Sequence, residues 1–141
     1  MRAESPLHTH WDVLIHVVGG IRVTTGAGLW LTEPELCVVE LADAAAYWLS
    51  RPVPVPFVYS SLESSEPWLL RFAEREPGRW AGESPWQLFR NDETCSLEEL
   101  RQALVGYVAD VSSLLPERRT VLRLLSSEST RYADLLAFLS R

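Results

Sequence analysis

Residues 32–50, TEPELCVVELADAAAYWLS, decide how the rest of the chain is read. Thr32 as N-cap with Glu35 three residues on makes a capping box, and Pro34 is tolerated in the first helical turn. Leu36, Val39, Ala46 and Leu49 lie along helical spacing, with Ala42 or Asp43 between them, and Val38, Leu41, Ala45 and Trp48 lie beside them. The pattern predicts a helix to about Ser50, apolar over a wide arc and so laid flat on a sheet.

The flanks supply the strands. Trp11, Val13, Ile15 and Val17 alternate with His10, Asp12, Leu14 and His16. That period predicts a strand with one buried face. Gly19-Gly20 reads as a hairpin turn, 21–25 as the return strand, Gly26-Ala27-Gly28 as a second turn and 29–31 as a third strand. After the helix, the alternating prolines of 51–56 force extended chain. Residues 57–59 read as a strand and 60–67 as a polar loop. Trp68, Leu70 and Phe72 alternate with Leu69, Arg71 and Ala73, which favours strand over helix, and Glu76-Pro77-Gly78 turns the chain into 79–83. Residues 86–89 extend that hairpin or form an edge strand.

The last third is helical. Ser96 and Glu99 form a second capping box ahead of a stripe through Leu97, Leu100, Leu104, Tyr107, Val108 and Val111, continued by Leu114 and Leu115, and Pro116 ends it. A short helix is expected over 121–125. A final one starts within 127–130, with Tyr132, Leu135, Leu136 and Leu139 inward. Strands, one helix, strands, then helices predict an α+β fold. Its antiparallel sheet is built from an N-terminal meander and a second hairpin, with one helix after the meander and a helical C-terminal third.

The 141 residues fit one globular domain over 1–141, with the first eight expected to be flexible. Hydrophobic residues make up 47%, enough for a core. All 13 basic residues are Arg, which excludes a P-loop lysine and a pyridoxal Schiff base. A net charge of −6 argues against nucleic acid and against an anionic membrane as partners. Two cysteines without a CxxC pair are too few for a disulfide scaffold. No apolar run approaches a bilayer span or a signal peptide, so a cytoplasmic location is expected.

Candidate chemistry is sparse. His8, His10 and His16 are the three histidines. On a strand His10, Asp12 and His16 would share a face, and His8 with His10 could chelate a metal. The solvent side of a polar strand explains them as well. Cys37 sits among apolar helix residues; Cys95 lies near a helix N-cap, where a thiol pKa can fall. Gly26-Ala27-Gly28 lacks the third glycine of a phosphate loop, and Gly82-Glu83-Ser84-Pro85-Trp86 lacks the second glycine of a nucleophile elbow. Neither a catalytic set nor a cofactor is expected. Of the six tryptophans, Trp11 and Trp48 read as core, and Trp86 as the exposed one.

Charge placement is more informative. Residues 33–76 hold eight acids against Arg51, Arg71 and Arg75, a net −5, whereas the segments before 33 and after 95 are neutral. A one-signed patch steers a basic partner. Glu35, Glu40, Asp43, Glu63 and Glu66, with Trp86, are the expected contacts to a basic protein. Leu41-Ala42, Trp48-Leu49, the 57–60 segment, Trp80 and Ser84-Pro85-Trp86 together resemble small actinobacterial proteins, a set that includes suspected immunity factors of bacterial toxin systems. The resemblance covers roughly residues 11–115 and implies no catalytic residue. These readings favour a non-enzymatic immunity or inhibitor domain, monomeric or a small homo-oligomer. The alternatives are a small enzyme or ligand- or metal-binding domain using the histidines, and a structural accessory subunit.

Overall fold

The computed structural model describes residues 1–141 apart from the side chain of Ser129. Its first elements are β1 (Arg2–Ala3), α1 (His10–His16), β2 (Val17–Thr25) and β3 (Gly28–Cys37), with the strands in the order β1-β2-β3, all antiparallel. The expected flexible start is instead tied down. Arg2 and Ala3 pair with Val18 and Val17, the Glu4 amide donates to the His16 carbonyl, and Leu7 is buried.

Three N-terminal expectations are corrected. Residues 10–16 are helix rather than strand. The Thr9 hydroxyl accepts from the Asp12 amide (3.3 Å), and the Asp12 carboxylate accepts from the Thr9 amide (2.9 Å). This reciprocal cap satisfies the donors that a short helix would otherwise leave bare, and Val13 and Leu14 supply its buried face. Gly19-Gly20 is not a turn but the middle of β2. A side chain at Gly19 would stand 3.3 Å from the Met1 Cα and from Val38, so close approach explains the residue. The chain reverses at 26–27, with Gly28 at φ 116°.

The third correction concerns 32–37, which continue β3 as strand. Gly19 pairs with Leu36 and Ile21 with Glu33, so Pro34 and Glu35 face Gly20 across a bulge. A proline fits there because no regular ladder donor is asked of it. Ladder pairing therefore wins over the local cap signal. Helix α2 (Val38–Leu49) begins six residues past the expected N-cap, with no side-chain cap at Cys37.

The proline segment and the second hairpin follow the expected pattern, but the hairpin belongs to a sheet of its own, and α2 is enclosed by helices and strands rather than laid flat on a sheet. α2 packs against α1, β2 and β4 (Phe57–Tyr59) and against the later helices α3 (Leu97–Leu114) and α5 (Ser129–Leu139), with Ala42, Ala45 and Ala46 fully buried. The proline segment is extended, and the Trp48 indole pins it by donating to the Val55 carbonyl (2.5 Å). β4 (Phe57–Tyr59), β5 (Leu70–Glu76) and β6 (Arg79–Glu83) form an antiparallel sheet, turning at Gly78 (φ 76°). Residues 86–89 are irregular rather than strand, although the Leu88 amide donates to the Trp30 carbonyl (2.8 Å).

The C-terminal third is helical. Ser96 and Glu99 cap α3 (Leu97–Leu114) reciprocally, at 3.1 Å each way. Pro116 and a left-handed Glu117 (φ 48°) separate it from α4 (Arg118–Ser126), and α5 (Ser129–Leu139) closes the chain. Leu114, expected inward, is exposed. Val121, Leu125, Tyr132, Leu135 and Leu139 are fully buried, in one contiguous core shared with α2 and both sheets. The fold is α+β, and among the described residues no helix is long and apolar enough to cross a membrane.

Gly82 marks the tightest packing in the second sheet. An added Cβ would lie 2.7 Å from the Phe72 ring and 3.1 Å from the buried Trp30 ring. The Trp30 ring is fully buried and cannot swing clear, so the half-buried Phe72 ring must give. Gly82→Ala is expected to cost ~1–3 kcal/mol by overpacking, read as a lower urea midpoint at unchanged slope.

Candidate functional site

The acids between 33 and 76 divide into three kinds. Glu35 is ion-paired to Arg2 (2.5 Å) on the surface. Glu40, expected as a surface contact, points inward from α2. Its two oxygens accept from the Tyr59 hydroxyl (2.7 Å) and the Leu62 amide (3.0 Å). It ties the loop 60–67 to the helix, with each oxygen engaged inside the domain. Glu33, Asp43, Glu63, Glu66, Glu74 and Glu76 have no basic side chain within 4.0 Å among the described residues.

Asp43 is the distinctive one. One turn beyond the Glu40 position on α2, it is half-buried, and loss of water pushes its carboxyl up to about 6 although Arg131 nearby pulls the other way. It lines an open pocket of about 280 Å³ with Trp11, Tyr59, Leu62 and Arg131. Trp11 was expected in the core; it is 44% exposed here, with the Arg131 guanidinium 4.8 Å from its ring centre. The α1 helix produces this difference, since a strand over 11–17 would have placed Trp11 with Val13. Glu63 and Glu66 are exposed in the loop whose Ser60 and Leu62 form one wall of the pocket. Trp86 is 37% exposed and lines a different, small pocket together with Leu31, Leu36 and Leu69.

The histidines do not assemble. His8 is exposed. The His10 Nδ1 and the Tyr132 hydroxyl share a hydrogen bond (2.7 Å), and its Nε2 is 3.8 Å from Glu128. His16 lies 3.4 Å from Glu4 and 3.9 Å from Asp12. The helix turns His10 and His16 to different neighbours, so the shared His10, Asp12 and His16 face expected of a strand does not form. Among the described residues no group of three His, Cys, Asp or Glu could hold a metal. Neither thiol is activated. Burial pushes Cys37 up to about 11, with Glu40 adding to it, and burial raises Cys95 despite the helix end nearby. The pocket therefore places a partly desolvated carboxylate beside an aromatic face, an arrangement able to receive a cation.

Residues 2–117 match the family described as a domain of unknown function, DUF7878, and the chain belongs to that family. No curated protein and no solved structure matches it.

Two outcomes follow from the carboxylates. Glu40→Ala strands the Tyr59 hydroxyl and the Leu62 amide, and is expected to cost ~1–3 kcal/mol in denaturant unfolding. Asp43 works in the opposite sense. Its folded pKa exceeds the ordinary value, so its contribution to stability is fully present below about pH 4 and is lost as pH rises through about 6. Asp43→Asn should therefore be more stable than the parent at pH 7 and equal to it at pH 4, in paired urea titrations.

Proposed function

We propose that this member of the DUF7878 family is a non-enzymatic protein-binding domain of the immunity or inhibitor type, taking a basic protein partner onto the face around Asp43, Glu63 and Glu66. One observation carries the reading: a partly desolvated carboxylate without an ion-pair partner lines a pocket beside an exposed tryptophan, under a loop of unpaired acids. A carboxylate in that state gains more from an incoming cation than a fully hydrated one, because part of its water is already gone.

In this reading an Arg or Lys of the partner enters the pocket, meets Asp43 and covers the Trp11 ring. Arg131 occupies that position over the ring in the free domain and gives way. Glu63 and Glu66 act at longer range, by raising the encounter rate with a basic surface. Glu35 and Glu40 contribute little, since each is engaged within the domain. The resemblance to small actinobacterial proteins with suspected immunity roles agrees with this.

The test is capture from cells of the source organism, with the parent and the double variant E63R/E66R, at low and at physiological salt. The expected result is a partner with a basic surface, held at least 10-fold less well by the double variant and by Asp43→Asn, and released by salt. Equal capture by all three proteins would sink the proposal.

A further inference from the structure

A second binding feature lies away from the Asp43 pocket, along the outer edge of β2. That strand pairs with β3 from Val18 to Thr25, apart from the bulge at Gly20, but β1 covers only Val17 and Val18. Among the described residues no other strand pairs with it from Gly19 onward. Three cavities of about 430, 260 and 370 Å³ follow each other there, and Ala103 of α3 lines all three. Together they are lined by every residue from 20 to 26. A groove over a sheet face would meet alternate residues only. Meeting consecutive ones means that it runs along the edge, where unpaired backbone donors and acceptors stand.

The opposite wall is one stripe of α3, through Leu100, Ala103, Gly106, Tyr107 and Asp110. The wall is cut back at its middle. Ala103 carries only a methyl group, and a Cβ at Gly106 would meet nothing within 4 Å. The floor is apolar, formed by Leu41, Leu70 and Phe72. Glu93 and Glu99 line one end and Asp110 the other, with Arg22 as the one basic side chain among the described lining residues. One Glu93 oxygen accepts from the Gly26 amide (2.8 Å) and one Glu99 oxygen from the Ser96 amide (3.1 Å), so each turns only its other oxygen toward an incoming cation. Trp80 lines the same end as Glu93, and its buried indole Nε1–H has no acceptor among the described residues.

We propose that this groove binds an extended peptide segment of a partner protein, which adds to the free edge of β2 as a further strand. Main-chain hydrogen bonds to β2 give the affinity. Alternate apolar side chains enter the floor, and outward Lys or Arg side chains meet Asp110 at one end and the second oxygens of Glu93 and Glu99 at the other. The stretch of α3 from 99 to 114 is about 22 Å long, which matches an extended segment of about seven residues. A helical segment would leave the edge unpaired, so extended chain is the conformation that fits. The site is separate from the Asp43 face, and either can fail without the other.

The probe is a positional-scanning library of N-acetylated heptapeptides, titrated against the full chain by fluorescence anisotropy. Binders should carry alternate apolar residues with Lys or Arg between them. Methylating alternate backbone nitrogens of the best peptide should weaken it at least 10-fold in one of the two phases. Gly106→Leu should do the same by filling the groove, and it favours the helix over glycine, so the fold is kept. Hydrogen exchange gives an independent reading: amides within 20–25 should gain protection on adding the peptide. E63R/E66R should bind the peptide as the parent does, which separates this site from the Asp43 face. The proposal is overturned by a library without saturable binders. It is overturned equally by binding indifferent to both backbone methylation and Gly106→Leu, or by β2 amides already protected in a dimer of the free chain.

Discussion

The structure depends on burying α2 on nearly every side. A helix with apolar residues over so wide an arc cannot lie on a surface; it must be enclosed. Helices α1, α3 and α5 and strands β2 and β4 do the enclosing. The alanines at 42, 45 and 46 let these neighbours approach closely, and each is fully buried. One polar group is carried inward with the helix, Glu40. Its burial is tolerable because Tyr59 and Leu62 satisfy both oxygens. The same two hydrogen bonds fix the loop after β4, and so shape the wall of the pocket that holds Asp43. A requirement of the core thus places the features at the surface.

What could be read from the sequence follows how local each signal is. The second hairpin and α3 were legible because Pro77-Gly78 and Ser96 with Glu99 act within a few residues, and nothing distant opposes them. The first meander was misjudged where distant pairing decides. Thr32 and Glu35 do form a capping pattern, but β2 offers those residues a ladder, and the ladder prevails. Gly19-Gly20 looks like a turn until the Met1 backbone and Val38 are seen to press on it. Over 10–16, seven residues are too few to separate a period of two from one of 3.6. There the cap between Thr9 and Asp12 was the better guide.

The candidate site was half legible for the same reason. The excess of acids between 33 and 76 is a matter of counting, and Asp43, Glu63 and Glu66 stand where that count leads. Composition does not show which acids are already engaged. Glu35 and Glu40 are removed by partners 33 and 19 residues away, and Trp11 joins the pocket only because α1 is a helix. The groove along β2 left no mark in the sequence. It arises from an edge that β1 is too short to cover and a helix wall lowered at Ala103 and Gly106.

The end of the family match at residue 117 coincides with Pro116 and the left-handed Glu117, but not with any limit of the core. Helices α4 and α5 lie beyond it, and α5 packs against both α2 and α3 while α4 packs against α1. The Arg118 guanidinium donates to the carbonyls of Ser112 and Leu139, stitching the two sides of the boundary together. The matched stretch is therefore not, in this chain, a unit of folding. Without α4 and α5 the apolar faces of α1, α2 and α3 that they cover would meet water, so residues 2–117 alone would leave the core open on one side.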